Sequence, residues 1–235
     1  MKAFYAETVR WAFVAVLSVA VVGCGSSNLL REYEFKDRTA AAVMATPPMP
    51  EVFTDSFFML DQNNPIRSII RIGTTIVKGV EAQRTEARLD SAMKLVDVPE
   101  QIRVGTLENC SNYLHYRSME DVKAADFILD MNIQRYGIDA TSWTASVHFK
   151  MDVEVQLLDN ARSVRVWKAR VKGKQPITRE IFGFGGATGD VITAVALSKL
   201  SVEELARGFE HLADYTADRI ARKLRHDLVE ARSSR

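Results

Sequence analysis

The chain predicts an α+β fold: an antiparallel sheet of three to four strands, with a long helix pair and a long C-terminal helix packed on one face. Three patterns carry that expectation. Residues 145–157 alternate without a break. Ala145, Val147, Phe149, Met151, Val153, Val155 and Leu157 are apolar, while Ser146, His148, Lys150, Asp152, Glu154 and Gln156 are polar. Such a strand has one face on a core and one toward water, which an antiparallel sheet permits and a doubly covered parallel sheet does not. Near the end, Leu205, Phe209, Leu212, Thr216, Ile220, Leu224 and Leu228 hold one helix face for about seven turns. Between residues 66 and 116, apolar side chains recur at three- and four-residue spacing, which describes a helix pair.

The elements follow in order. "TAAAVMAT", residues 39–46, is a short apolar run stopped by "PPMP" at 47–50, and reads as a first strand. Asn64-Pro65 opens a helical pattern with Ile66, Ile69, Ile70, Ile76, Val77 and Val80 on one face and Arg67, Arg71 and Lys78 on another; a second phase runs through Leu89, Ala92, Met93 and Val96. Pro99 breaks the pattern, since it disfavours helical geometry at Val98 and suits the first turn of a new helix, predicted over 99–116. From residue 126 the period shortens to two. "DFILDMNIQ", residues 126–134, places Phe127, Leu129, Met131 and Ile133 together. Residues 158–163 form a turn into "SVRVWKARV", 163–171, where Val164 and Val166 are out of phase with Trp167, Ala169 and Val171, so a bulge is expected. Ser201 and Glu204 make a capping box at the start of the last helix.

The N-terminus is of a different kind. Trp11 to Val22 is apolar but only about 18 Å long as a helix, against roughly 30 Å for a bilayer core. Lys2 and Arg10 precede it and the small residue Gly23 follows, the three-part layout of a secretory signal. Val21-Val22-Gly23-Cys24 resembles the lipobox of bacterial lipoproteins. The resemblance implies cleavage before Cys24, acylation of its thiol and new amino group, and, because position 25 is not Asp, sorting to the outer membrane. Residues 1–23 are then a removed signal, 24–36 a lipidated cysteine with a flexible tether starting Gly25-Ser26-Ser27, and 37–235 one α+β domain facing the periplasm.

With Lys2, Arg10 and Glu7 removed, the 31 basic and 30 acidic residues come into balance. A nucleic-acid binder would carry a clustered basic excess instead. Of the two cysteines, acylation takes Cys24, and Cys110 reads as a small buried hydrophobe. "GFGGATGD", residues 183–190, has the wrong third spacing for a dinucleotide fingerprint and lacks the Lys-Ser/Thr of a phosphate loop. It reads as a loop into a helix, whose Phe182 and Phe184 suit contact with a partner or lipid headgroup. His115, His148, His211 and His226 are far apart and none has metal-ligand spacing to a second ligand. Asp126 and Asp130 flank an apolar strand and are expected in solvent. The basic, isoleucine-rich segment with Arg67, Arg71 and Lys78 reads first as a helix laid on the sheet with its basic side in water, and also suits an anionic membrane surface or a partner groove.

Including "ADFILDMNIQRYGI" at 125–138, the element order resembles small envelope lipoproteins that serve as accessory subunits: transport-auxiliary lipoproteins of ABC-type lipid systems, the curli-secretion lipoprotein and the lipopolysaccharide-assembly lipoprotein. The resemblance transfers no functional residue. With it the leading expectation is a lipid-anchored binding or assembly module with a protein partner or a second copy of itself; the residue patterns above add the expectation of no catalytic residue, no cofactor beyond the lipid, no metal, no nucleotide and no nucleic acid. The competing expectation is a membrane-anchored envelope hydrolase, which would show convergent His, Asp or Ser groups in a pocket.

Overall fold

The computed structural model describes residues 28–45, 71–72, 80–140, 144–182 and 190–233. Strands β1 (Thr39–Ala45), β2 (Arg71–Ile72), β3 (Arg117–Ser118), β4 (Phe127–Ala140), β5 (His148–Asp159) and β6 (Val164–Pro176) form one sheet in the order β3-β1-β4-β5-β6, with β2 against the far end of β4. Helices α1 (Val80–Leu95), α2 (Val98–Leu114), α3 (Ala194–Leu197) and α4 (Val202–Ser233) complete the α+β domain. Among the described residues no helix is long and apolar enough to cross a membrane.

The alternation of β5 does what its pattern predicts. Val147, Phe149, Met151, Val153, Val155 and Leu157 are all at most 2% exposed. They meet the buried stripe of α4, where the Thr216 hydroxyl lies 3.2 Å from Met151 Sδ and Tyr215 stands edge-on to Phe149. Helix α2 crosses α4 closely at Gly105, where a Cβ would sit 3.0 Å from that of Ala217. The opposite sheet face is polar and laced across strands: Arg170 grips Asp152 through two bonds of 2.7 Å, Lys168 pairs with Glu154, and Gln156 donates to Asp130 at 2.7 Å. Cross-strand pairs of this kind hold register on the wet side.

Local signals are equally visible. Leu157 stands opposite Trp167 and Leu158 opposite Arg165, so Val166 is the extra residue of the expected bulge. It turns both Val166 and Trp167 into the core. Ser201 and Glu204 exchange backbone N–H bonds of 3.1 and 2.7 Å as a capping box. Asp97 caps α2 at the Glu100 N–H, and α2 ends on His115 at φ 59° with its N–H on Ser111 O.

Three expectations are corrected. The sheet is mixed and not antiparallel, because β1 runs parallel to β4 from Ala40 opposite Phe127 to Ala45 opposite Asn132. The chain between them includes α1 and α2, and a helical crossover is what a parallel neighbour needs. Within the helix predicted from residue 66, Arg71 and Ile72 are extended and pair with Asp139 and Ala140; α1 is described from Val80, and the rest of that segment lies outside the described residues. Its isoleucines are β-formers, and short apolar runs do not separate helix from strand by period alone. The tether does not extend to residue 36. Leu30 and Phe35 are buried, and Leu29 N–H donates to Val166 O at 2.8 Å, because these apolar side chains have a core to join.

Candidate functional site

Edge strand β6 and the C-terminal half of α4 leave a cleft of about 410 Å³ between them, closed at one side by Asn28. At its floor Trp167 donates its indole N–H to Asp227 Oδ2 at 2.9 Å, while Lys223 Nζ reaches Oδ1 at 2.7 Å. Asn28 Nδ2 donates to the Asp227 carbonyl at 3.5 Å, so the first described residue of the domain is fastened to the same point. Burial pushes the Asp227 carboxyl up, but the bonds from Lys223 and Trp167 and the Lys223 charge outweigh it and hold the group below its ordinary value. Asp227 is thus committed as an anion with its partners already in place. Sequence reasoning missed it, although a signal existed: an acid at position 227 lies three residues from Leu224 and seven from Ile220, on a stripe that is otherwise apolar.

The cleft opens toward cations. Arg165, Lys168, Arg170 and Lys223 line it, and beyond Lys223 a second groove of about 340 Å³ runs along β6 and α4 past Lys172, Arg219, Arg222 and His226. His226, Asp227 and Glu230 bring one ligand atom each within 4.8 Å of one another. Lys223 already occupies the Asp227 oxygen there and supplies the balancing charge without a metal. What this site offers a ligand is mainly positive charge and hydrogen-bond donors, with the exposed Glu230 carboxylate at its edge.

A further cavity of about 310 Å³ lies over Tyr33 and Phe127, rimmed by Asp126, Asp159 and Arg162. Asp126 is not simply solvated, as expected from sequence. It accepts from Thr39 N and Thr39 Oγ1 at 2.8 Å each, and the Thr39 backbone bond is the main reason its carboxyl is held below the ordinary value. Asp130 likewise accepts from Gln156. Both acids brace strands.

Val21, Val22, Gly23, Cys24, Arg67, Lys78 and Phe184 lie outside the described residues, and Arg71 is placed only by its backbone in β2. Phe182 is corrected outright: it is 1% exposed, with its ring over Gly208 of α4, because a helix glycine leaves a slot that an apolar ring fills. His115, at the end of α2, and His211 and His226, fifteen residues apart on α4, are exposed, with His148 half-buried on β5. Asp214, three residues from His211, accepts instead from Gln101 at 3.0 Å.

Cys110 is fully buried, and burial pushes its thiol up to about 12. A thiol with almost no thiolate at neutral pH reacts slowly. In a Cys24→Ser chain, Cys110 is expected to resist a thiol reagent while native and to label fully in denaturant. Rapid labelling of the native protein would mean that the α2 face opens.

Fold and cleft together define a class: a one-sided α+β domain whose sheet has one apolar face under helices, one ion-paired face, and a basic cleft at its edge. No protein-family model matches the chain, and no curated protein matches its sequence. Among solved structures it is similar to a Xanthomonas campestris protein of family DUF330, at 8% identity over 84% of this chain and 89% of that one, TM-score 0.42. It is also similar to a Caulobacter crescentus protein described as a lipoprotein, at 16% identity over 66% and 99%, TM-score 0.31. The third is a PelC dodecamer of Paraburkholderia phytofirmans, at 8% identity over 79% and 89%, TM-score 0.30. At those scores the likenesses carry no weight as to what this chain does.

Proposed function

We propose that the chain is a lipid-anchored module of the cell envelope that binds or assembles other components and is not an enzyme. It would serve as an accessory subunit of a transport or outer-membrane assembly system and face the periplasm from the outer membrane. The lipobox-like Val21-Val22-Gly23-Cys24 supports the anchor. The observation that carries the reading is how near Cys24 the chain is fastened to the domain. Asn28 is bonded to Asp227 and Leu29 to Val166, and Asn28 stands four residues after Cys24. A chain of that length reaches at most about 14 Å. An acylated Cys24 would therefore hold the β6–α4 edge close against the bilayer. Favouring binding over hydrolysis, Asp227 and Asp126 are engaged by structural partners, and the four bases Arg165, Lys168, Arg170 and Lys223 lining the cleft attract an anion.

The test is the anchor itself. Expressed in a Gram-negative host, the protein is expected to incorporate labelled palmitate and to pellet with membranes. Cys24→Ser is expected to lose the label and move to the soluble periplasmic fraction or remain uncleaved. An unlabelled wild-type chain sinks the proposal.

A further inference from the structure

The groove between β6 and α4 is cationic along its whole length. Its lining is Arg170 and Lys172 from the strand and Arg219, Arg222, Lys223 and His226 from the helix, with Val171 the one apolar member and no carboxylate. The acids behind it do not cancel it. Asp152 serves both Arg170 at 2.7 Å and Lys172 at 3.9 Å, Asp218 serves Arg222 at 2.6 Å, and Asp227 serves Lys223 at 2.7 Å. Arg219 has no ion-pair partner among the described residues. Five permanent cations thus stand over three carboxylates, in a chain that is otherwise near neutral, and Glu230 lines the adjoining cleft, not this groove. The side chains are accessible: Lys172 is 65% exposed and Arg222 68%. On the same helix face, three residues past His226, Val229 is 60% exposed. An apolar side chain beside a basic row is the composition of an interfacial membrane contact.

Position selects the occupant. The groove shares Arg170 and Lys223 with the cleft that Asn28 closes, and Asn28 lies within about 14 Å of chain from Cys24. We infer that the β6–α4 groove is the membrane-facing surface of the domain and binds the phosphates of anionic phospholipid headgroups. The inference rests on the anchor reading above for its placement, but the groove's own affinity can be measured without the lipid. Each basic side chain near an anionic surface is worth about 1 kcal/mol. The anchor would supply residence and the groove would fix which side of the domain turns to the bilayer.

The test uses the mature chain from residue 24 carrying Cys24→Ser; every buried core residue described lies at Leu30 or later. It is sedimented with vesicles of phosphatidylcholine alone or with one third phosphatidylglycerol. Binding is expected only to the anionic vesicles and should weaken steeply with salt. The pair Lys172→Gln and Arg219→Gln should lower it about thirty-fold, from about 1 kcal/mol per base. The control pair Arg84→Gln and Lys94→Gln, exposed on α1, should change it less than two-fold. Equal binding to neutral vesicles, no binding to either, or equal losses in the two pairs each overturn the inference. Palmitate labelling of the full chain reports separately on the anchor, so a lipidated protein with an indifferent groove and an unlipidated one with an active groove are told apart.

Discussion

Replacing Asp227 by alanine is expected to destabilise the fold by about 2–3 kcal/mol, and by asparagine by about 1 kcal/mol. Trp167 is 1% exposed and its indole N–H has Asp227 Oδ2 as acceptor at 2.9 Å. Alanine leaves that donor buried with no partner, at roughly 1–3 kcal/mol, and removes the link that holds β6 to α4. Lys223 is 44% exposed and turns to water, so no charge is stranded. Asparagine keeps an amide oxygen for the indole and loses only the charge on Lys223. The pH dependence has a defined sign. Burial raises the Asp227 pKa, but the Lys223 and Trp167 bonds lower it further, so the folded value lies below the unfolded one. Stability from such a group is present above the unfolded value of about 3.9 and is lost as pH falls through the folded value. The gap between wild type and Asp227→Asn should therefore be flat near neutrality and close in acid. Urea unfolding at neutral pH and in the acid range measures it. A gap that ignores pH, or an asparagine variant as unstable as alanine, would assign the stabilisation to packing alone.

The same node shows why the sequence was informative about elements and less so about their assembly. Period and turn chemistry are local, and three such signals were realised: the odd residues of β5 buried, Val166 bulged, Ser201 and Glu204 capping α4; the helical period read from residue 66 was not, since Arg71 and Ile72 are extended. Strand direction is not local. Alternation in β5 reports that one face is wet, and that holds whether a neighbour two strands away runs parallel or antiparallel, so the parallel entry of β1 beside β4 left no mark on either strand. The cleft is further out of reach, since Asn28 and Asp227 are 199 residues apart and Trp167 and Asp227 are 60 apart. What was legible was a mismatch, an acid on the apolar stripe of α4. Basic groove residues were hidden for a related reason: Lys172 and Arg219 look like ordinary solvated charges until β6 and α4 are laid side by side. Phe182 went the other way. Next to a glycine-rich stretch it resembled an exposed contact residue, and only the distant slot at Gly208 makes it core.

That slot sets up a reversal of sign between two genetic backgrounds. Glycine inside α4 costs about 0.5–1 kcal/mol relative to alanine through backbone entropy, so Gly208→Ala ought by propensity to stabilise. A Cβ at Gly208, however, would lie 2.0 Å from Phe182 Cε1 and 2.4 Å from Cδ1. Those atoms are the flank of a buried aromatic ring, not the tip of a flexible chain, so the ring or helix must shift in a closely packed region. Overpacking of that kind costs typically about 1–3 kcal/mol, and with so severe an approach the upper part of that range wins over propensity. Gly208→Ala is expected to destabilise wild type by about 2 kcal/mol. Phe182→Ala alone should cost about 3–5 kcal/mol by leaving a cavity. In that background the clash is gone, the new methyl fills part of the void, and helix propensity acts unopposed. Gly208→Ala should then stabilise by about 0.5–1 kcal/mol. Chemical denaturation of the four proteins of this cycle gives the coupling, which has the sign and size expected for residues in direct contact. If Gly208→Ala has the same effect with and without the Phe182 ring, the ring does not occupy the slot, and Phe182 returns to the surface as a contact residue.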